Sequence, residues 1–325
     1  MRRRKFITLL GAGAAAWPLA ARAQQAAKVR HIGFLRPNAP PTAALEAFRR
    51  SLREAGYVEG TSISIDFRYT GGSLDALSAA AHELVKSKVE VIVTASSPAT
   101  IAAKRLTSTI PIVFVEVADP IGAGLVGSLA RPEANVTGAS AMGTDVSPKR
   151  FEILREIAPP AAHIAVLWNP ANPTAVLRLQ ATELAAQRTD VQLIKQPIRR
   201  ADEIDESFAA MSRAGADALI AIQDTIVLDN RERVVALAAK FRLPAIYDIR
   251  AYVEVGGLVS YGANFAERFA QAGAYVVRIL NGKRPADLPI DQPTKFELVI
   301  NLKAAKALGL TISHDFLLRA DDFVD

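Results

Sequence analysis

Residues Val93 to Leu106 read VTASSPATIAAKRL. A short β-branched run stops in two hydroxyls and a proline, and an alanine-rich stretch with helical spacing takes over. Serine suits an N-cap, where its oxygen takes a free amide, and proline suits the first helical position, where its missing N–H would be unpaired anyway. The stretch predicts a strand that passes through Ser97-Pro98 into a helix. In open parallel sheets, ligands collect at such junctions, outside the carboxyl ends of the strands.

The same alternation extends in both directions. His31 to Leu35 reads as a buried strand, followed by Leu45, Phe48 and Leu52 at helical spacing. Ser62 to Phe67 pairs with a helix over Leu74 to Val85, Val89 to Val93 with Ala99 to Leu106, and Ile110 to Val115 with Ile121 to Leu129. A second series starts near Ser147: helices over 148–157, 175–187, 204–214 and 231–241 precede strands at 163–167, 191–194, 218–222 and 245–247. Two successive α/β units, each with a mostly parallel sheet covered on both faces, are expected. Gly138 to Gly143, Gly256-Gly257 and Pro285 to Pro293 fit three crossings between lobes, with one hinge between sequential domains as the alternative. The three-crossing reading assigns 29–140 and 257–287 to one lobe and 141–256 and 288–325 to the other.

The strand ends deliver short polar residues: Asn38, Ser96-Ser97, Glu116 and Asp119, Asn169 and Asn172, Asp224, and Asp248. A helix N-terminus after Ser97 can hold a carboxylate on its free amides, and Asn169-Pro170 repeats the device in the second unit. Asp224 can accept from an ammonium group. Tyr247, Tyr261 and Trp168 can stack on a flat side chain. For the serines and Asp224 the alternative is a plain helix cap, and for the aromatics a place in the core.

The formal charge of +6 does not describe a binding face. Arg2, Arg3, Arg4, Lys5 and Arg22 hold five of those charges and leave +1 beyond Ala23, so nucleic acid is not an expected partner. Met1 to Ala23 reads as an export leader, with a basic start, a mild apolar run and Ala21-Arg22-Ala23 as a cleavage site. Arg3-Arg4-Lys5-Phe6-Ile7 resembles the twin-arginine pattern, and an ordinary secretory start is the alternative. With no cysteine anywhere, an exported chain of this length rests on its core alone and has neither thiol nucleophile nor lipid anchor.

Gly122-Ala-Gly124-Leu-Val-Gly127 fits a dinucleotide pattern, but Ala118 to Ile121 intervene after the strand and Pro132 cuts the helix short. G-x-S-x-G, Walker A and H-E-x-x-H patterns are absent, and His31, His82, His163 and His314 lie far apart. No cofactor, metal or catalytic residue is expected.

Ile32 to Leu35, Leu52-Arg-Glu-Ala-Gly-Tyr57, Val117-Ala-Asp-Pro120 with Gly124-Leu-Val126, Asn135-Val-Thr-Gly138 and the ending Asn301 to Leu310 carry a resemblance. The chain resembles the ABC-transporter substrate-binding proteins of the tryptophan/tyrosine-binding-like family, which have a type I periplasmic binding fold. That resemblance implies an α/β, two-lobed periplasmic receptor, monomeric, that closes on a small polar or amino-acid-like solute and hands it to a membrane permease. It implies a ligand cleft at Ser96, Ser97, Asp119, Asn169 and Asp224, with Tyr261 behind them. Asn38 and Tyr247 complete the candidate set. A ligand-loaded sensor for a membrane receptor, and a secreted α/β enzyme using Asp224 or Glu116 as a base, are the alternatives.

Overall fold

The computed structural model describes residues 29–132 and 134–324; the expected leader, 1–23, lies outside the described residues. The first half forms a five-stranded parallel sheet from β1 (Arg30–Arg36), β2 (Ile63–Tyr69), β3 (Val91–Ala95), β4 (Ile112–Val117) and β5 (Val136–Ser140), in the order β2-β1-β3-β4-β5. β3 and β5 are buried throughout, as strands covered on both faces must be. Helices Thr42–Glu54 and Phe265–Leu280 cover one face through Phe48, Phe269 and Val276. Helices Leu77–Lys86 and Ser97–Leu106 cover the other.

The second sheet holds β6 (His163–Trp168), β7 (Gln192–Pro197), β8 (Ala218–Ala221), β9 (Ala245–Tyr247), β10 (Val259–Gly262), β11 (Glu297–Asn301) and β12 (Asp322–Val324), in the order β12-β11-β10-β9-β8-β6-β7. Only the β10–β11 pair is antiparallel. Helices Gly143–Ile157 and Pro173–Ala186 pack on one face around Phe151, Leu154 and Leu179, and helices Ile204–Arg213 and Arg231–Lys240 on the other around Phe208 and Val234. The molecule is therefore an α/β protein of two lobes.

Two sequence expectations need correction. Residues 121–129 form turns, not a helix: Ala123 N bonds to Asp119 O, Gly124 N to Ile121 O, and Gly124 turns back at φ +66°. The expected lobe limits at 257 and 288 also shift. β10 pairs with β9 and β11, so Gly256-Gly257 is a turn before a second-lobe strand and the chain crosses back only after Gly262. Leu288 and Ile290 are buried in first-lobe cores, and Ser140 N and Asp291 N bond across to Asp291 O and Gly138 O, so the last crossing follows Asp291. Among the described residues no helix is long and apolar enough to cross a membrane.

Candidate functional site

The strand ends of both sheets meet across one crevice. On the first lobe its wall is built from strained backbone. Among the described residues five non-glycine residues have positive φ, and three of them lie near the carboxyl ends of adjacent strands here: Ser96 (139°), Glu116 (63°) and Met142 (48°). Strain of this kind persists only where the surroundings impose it, and it gathers at binding sites. At Glu116 it coincides with a shift in the β4–β5 register between Phe114 and Val117, a bulge that re-aims the side chain. The carboxylate then meets Arg36, whose Nε lies 3.2 Å from Glu116 Oε2. Burial pushes Glu116 above the ordinary carboxylate range, with the Arg36 charge opposing it. For Arg36 burial works against the charge, but Glu116 and Asp229 outweigh it and raise its pKa.

Ser96 is the N-cap of helix Ser97–Leu106, its Oγ accepting from Ala99 N, with Pro98 in the first turn. Ser97, one residue further on, is thereby free to reach the other lobe. Its Oγ is 3.0 Å from Thr174 Oγ1.

The second-lobe wall centres on two carboxylates. Asp224 caps the short helix Thr225–Asp229 through Ile226 N, and it also accepts from Asn169 Nδ2 at 3.0 Å and Asn172 Nδ2 at 2.9 Å. Asp248, after β9, accepts from Gln223 N and pairs with both Arg178 and Arg150, the latter at 2.9 Å. Arg150 further donates from Nε to Tyr261 O and from Nη1 to Gly143 O. Its burial pulls the guanidinium down to about 10 even beside Asp248. Arg178 donates from Nη1 to Gln223 O, but its Nε has no partner. Arg268, from the first-lobe side, pairs with Asp291 through Nη1 and likewise leaves Nε unpaired.

Direct contacts hold the lobes together. Besides Ser97 and Thr174, Asn38 Nδ2 donates to Asp229 at 2.7 Å, Arg36 Nη1 lies 3.3 Å from the same carboxylate, and Gln223 Nε2 lies 3.5 Å from Glu116. What remains open between the walls is about 50 Å³, bordered by Ser96, Glu116, Arg178, Asp224, Thr225 and Arg268 among others.

Of the eight candidates from the sequence, Ser96, Ser97 and Asp224 line this crevice. Asn169 stands behind it: fully buried, it orients Asp224, and the residue that caps helix Pro173–Ala186 is Asn172, not Asn169. Asn38 lies at the rim as an interlobe contact. Asp119 folds onto its own turn, accepting from Gly122 N. Tyr261 gives only its carbonyl, its ring resting on Phe296. Tyr247 is turned into the second-lobe core, stacked on Tyr252 at 4.7 Å, because β9 alternation sends it to the face opposite Ile246. Sequence reasoning missed Arg150, Arg178 and Arg268. Their signal is a cation on the apolar face of a helix: Arg150 falls between Val146 and Leu154, and Arg178 beside Ala175, Leu179 and Thr182, all buried.

Among the described residues no group of histidines and carboxylates is placed to hold a metal. A family model for ABC transporter substrate-binding proteins matches residues 41–324. The chain is 26% identical over 268 residues to a tyrosine-binding protein of Clostridioides difficile, covering 82% of this chain and 76% of that one. A conserved domain protein of Vibrio cholerae superposes with a TM-score of 0.84 at 29% identity, over 91% of this chain and all of that one. A Streptococcus pneumoniae domain in complex with L-Trp also gives 0.84, at 25% identity and the same coverage. A ligand-free, open substrate-binding protein from Clostridium difficile gives only 0.63 over the same 91%, at 26% identity and 99% of that chain. The fold is that of the type I periplasmic binding proteins, with the lobes touching as described. On the match to nearly its whole described length, the chain belongs to the family of ABC transporter substrate-binding proteins.

Proposed function

We propose that the protein is the periplasmic solute-binding component of an ABC importer, which closes on a small polar, amino-acid-like ligand between its lobes and delivers it to an inner-membrane permease. The observation that carries this reading is the contact of Ser97 and Thr174 from opposite lobes beside a crevice whose buried cationic donors lack partners. A zwitterion matches both kinds of group. Its carboxylate suits the arginine donors and the serines at the helix start, and its ammonium suits Asp224. Contacts made to both walls exist only in the closed state, so binding shifts the lobes toward closure. Relatives that bind tyrosine and tryptophan support the amino-acid class.

Titration calorimetry with the standard amino acids, on protein freed of retained ligand, tests the binding step. Saturable one-to-one binding without turnover is expected; no saturable binding, or chemical conversion of the bound compound, overturns the proposal. Loss of uptake on deleting the permease tests the transport step. Export belongs to the same reading: after Arg3→Lys with Arg4→Lys the protein stays in the cytoplasm if the twin-arginine route carries it and still reaches the periplasm if the general secretory route does.

A further inference from the structure

We infer that Arg178 and Arg268, one from each lobe, form the receptor for the ligand's carboxylate, and that the cargo is a compact, non-aromatic carboxylate; this rests on the binding function proposed above.

Four arginines lie on or near the crevice, and their hydrogen-bond accounts differ. Arg150 is fully used, with Nε on Tyr261 O, Nη1 on Gly143 O and Nη2 on Asp248, so it is scaffolding. Arg36 has one unpaired nitrogen, Nη2, but its neighbours are the carboxylates of Glu116 and Asp229, a place that repels an anion. Arg178 and Arg268 are each anchored by an aspartate, Asp248 and Asp291, through one terminal nitrogen, and each keeps a buried Nε–H with no acceptor. Both residues are more than nine-tenths buried and both line the crevice. Thr225 Oγ1, in the same wall, is a third buried group with no partner. A buried donor left unmade is costly, and more so on a charged group. An incoming carboxylate supplies the acceptors, and because the two arginines belong to different lobes it is bound fully only when the lobes close.

The size of the cargo follows from the room. The crevice holds about 50 Å³, against the roughly 150 Å³ of an engineered apolar cavity that admits benzene. The lobes are already in contact at its edge, where Ser97 Oγ lies 3.0 Å from Thr174 Oγ1. The space that the touching lobes leave is about a third of that benzene-sized cavity, and an indole or a phenol ring needs more. Close packing at that edge leaves no slack to recover the difference without parting the lobes.

The test is calorimetry with L-alanine, L-aspartate, L-tyrosine and L-tryptophan, and with the carboxamides of the first two, on wild type, Arg268→Gln and Thr225→Val, each checked for an unchanged thermal melt. Alanine or aspartate is expected to bind wild type about tenfold or more tighter than the aromatic pair and than its own carboxamide. In Arg268→Gln the advantage of carboxylate over carboxamide disappears. In Thr225→Val, the second and milder variant, it shrinks. Tightest binding of tyrosine or tryptophan, or a carboxylate preference that survives Arg268→Gln, overturns the inference while leaving the binding function standing. Binding of none of these compounds overturns both.

Discussion

Asp224 shows how one side chain can be read two ways. From the sequence it is a lone acid at a strand end, free to meet a ligand ammonium. In the fold its two oxygens already accept from Asn169, Asn172 and Ile226 N. Removing it strands two buried amides and uncaps a helix, so Asp224→Ala is expected to cost about 2–4 kcal/mol of stability as well as affinity. Urea denaturation reads the first effect; an unchanged midpoint with binding lost would make the residue a ligand contact alone. Glu116 carries a pH signature. Burial raises its pKa in the closed protein, with Arg36 opposing, while opening or unfolding returns it to the ordinary value of about 4.3. Closed protein then holds a proton that open protein lacks, so this contribution to closure is complete below the ordinary value and is lost as pH rises through the raised one. Ligand affinity should weaken as pH rises above the ordinary carboxylate range in wild type and lose that slope in Glu116→Gln; parallel profiles would remove Glu116 from the linkage.

Helix Phe265–Leu280 is the element that makes the first lobe complete, although it lies far along the chain. It packs its Phe269, Val276 and Ile279 into the core beside Phe48 and Leu52 of helix Thr42–Glu54. Gly273 is the point of closest approach: a Cβ there would meet Ser51 Cβ at 2.9 Å and Phe48 O at 3.0 Å. Gly273→Val is expected to force the helices apart at a cost of about 1–3 kcal/mol, seen as a lowered denaturation midpoint. A midpoint equal to wild type would mean that the two helices separate freely. The apolar spacing of this helix is visible in the sequence, because 3.6-residue periodicity is local, and in the fold Asn264 caps its start. The turn region 119–127 was not legible, since its apolar residues follow the helical period while three glycines weaken a helix there.

At the scale of the molecule, the contacts of Asn38 and Arg36 with Asp229 tie the lobes at the rim, away from the arginine pair. They favour closure whatever the ligand is. Asp229→Ala is therefore expected to enlarge the ligand-free protein in small-angle X-ray scattering and to weaken ligand binding about tenfold, with little change in melting temperature. Unchanged scattering and affinity together would show that the rim contacts do not bias the lobes.

Sequence alone determined the α/β class, the two-lobe plan, the strand ends as the place to look, and Ser96 and Ser97 at a helix start, because periodicity and capping are set by residues a few positions apart. Only the tertiary structure decided which polar ends face the crevice. Arg150, Arg178 and Arg268 sit on helices separated by long stretches of chain, Asn169 and Tyr247 turn away, and Glu116 points inward through a bulge. Those outcomes depend on how distant elements pack and on which buried polar groups find partners, and neither quantity is carried by a local window of residues.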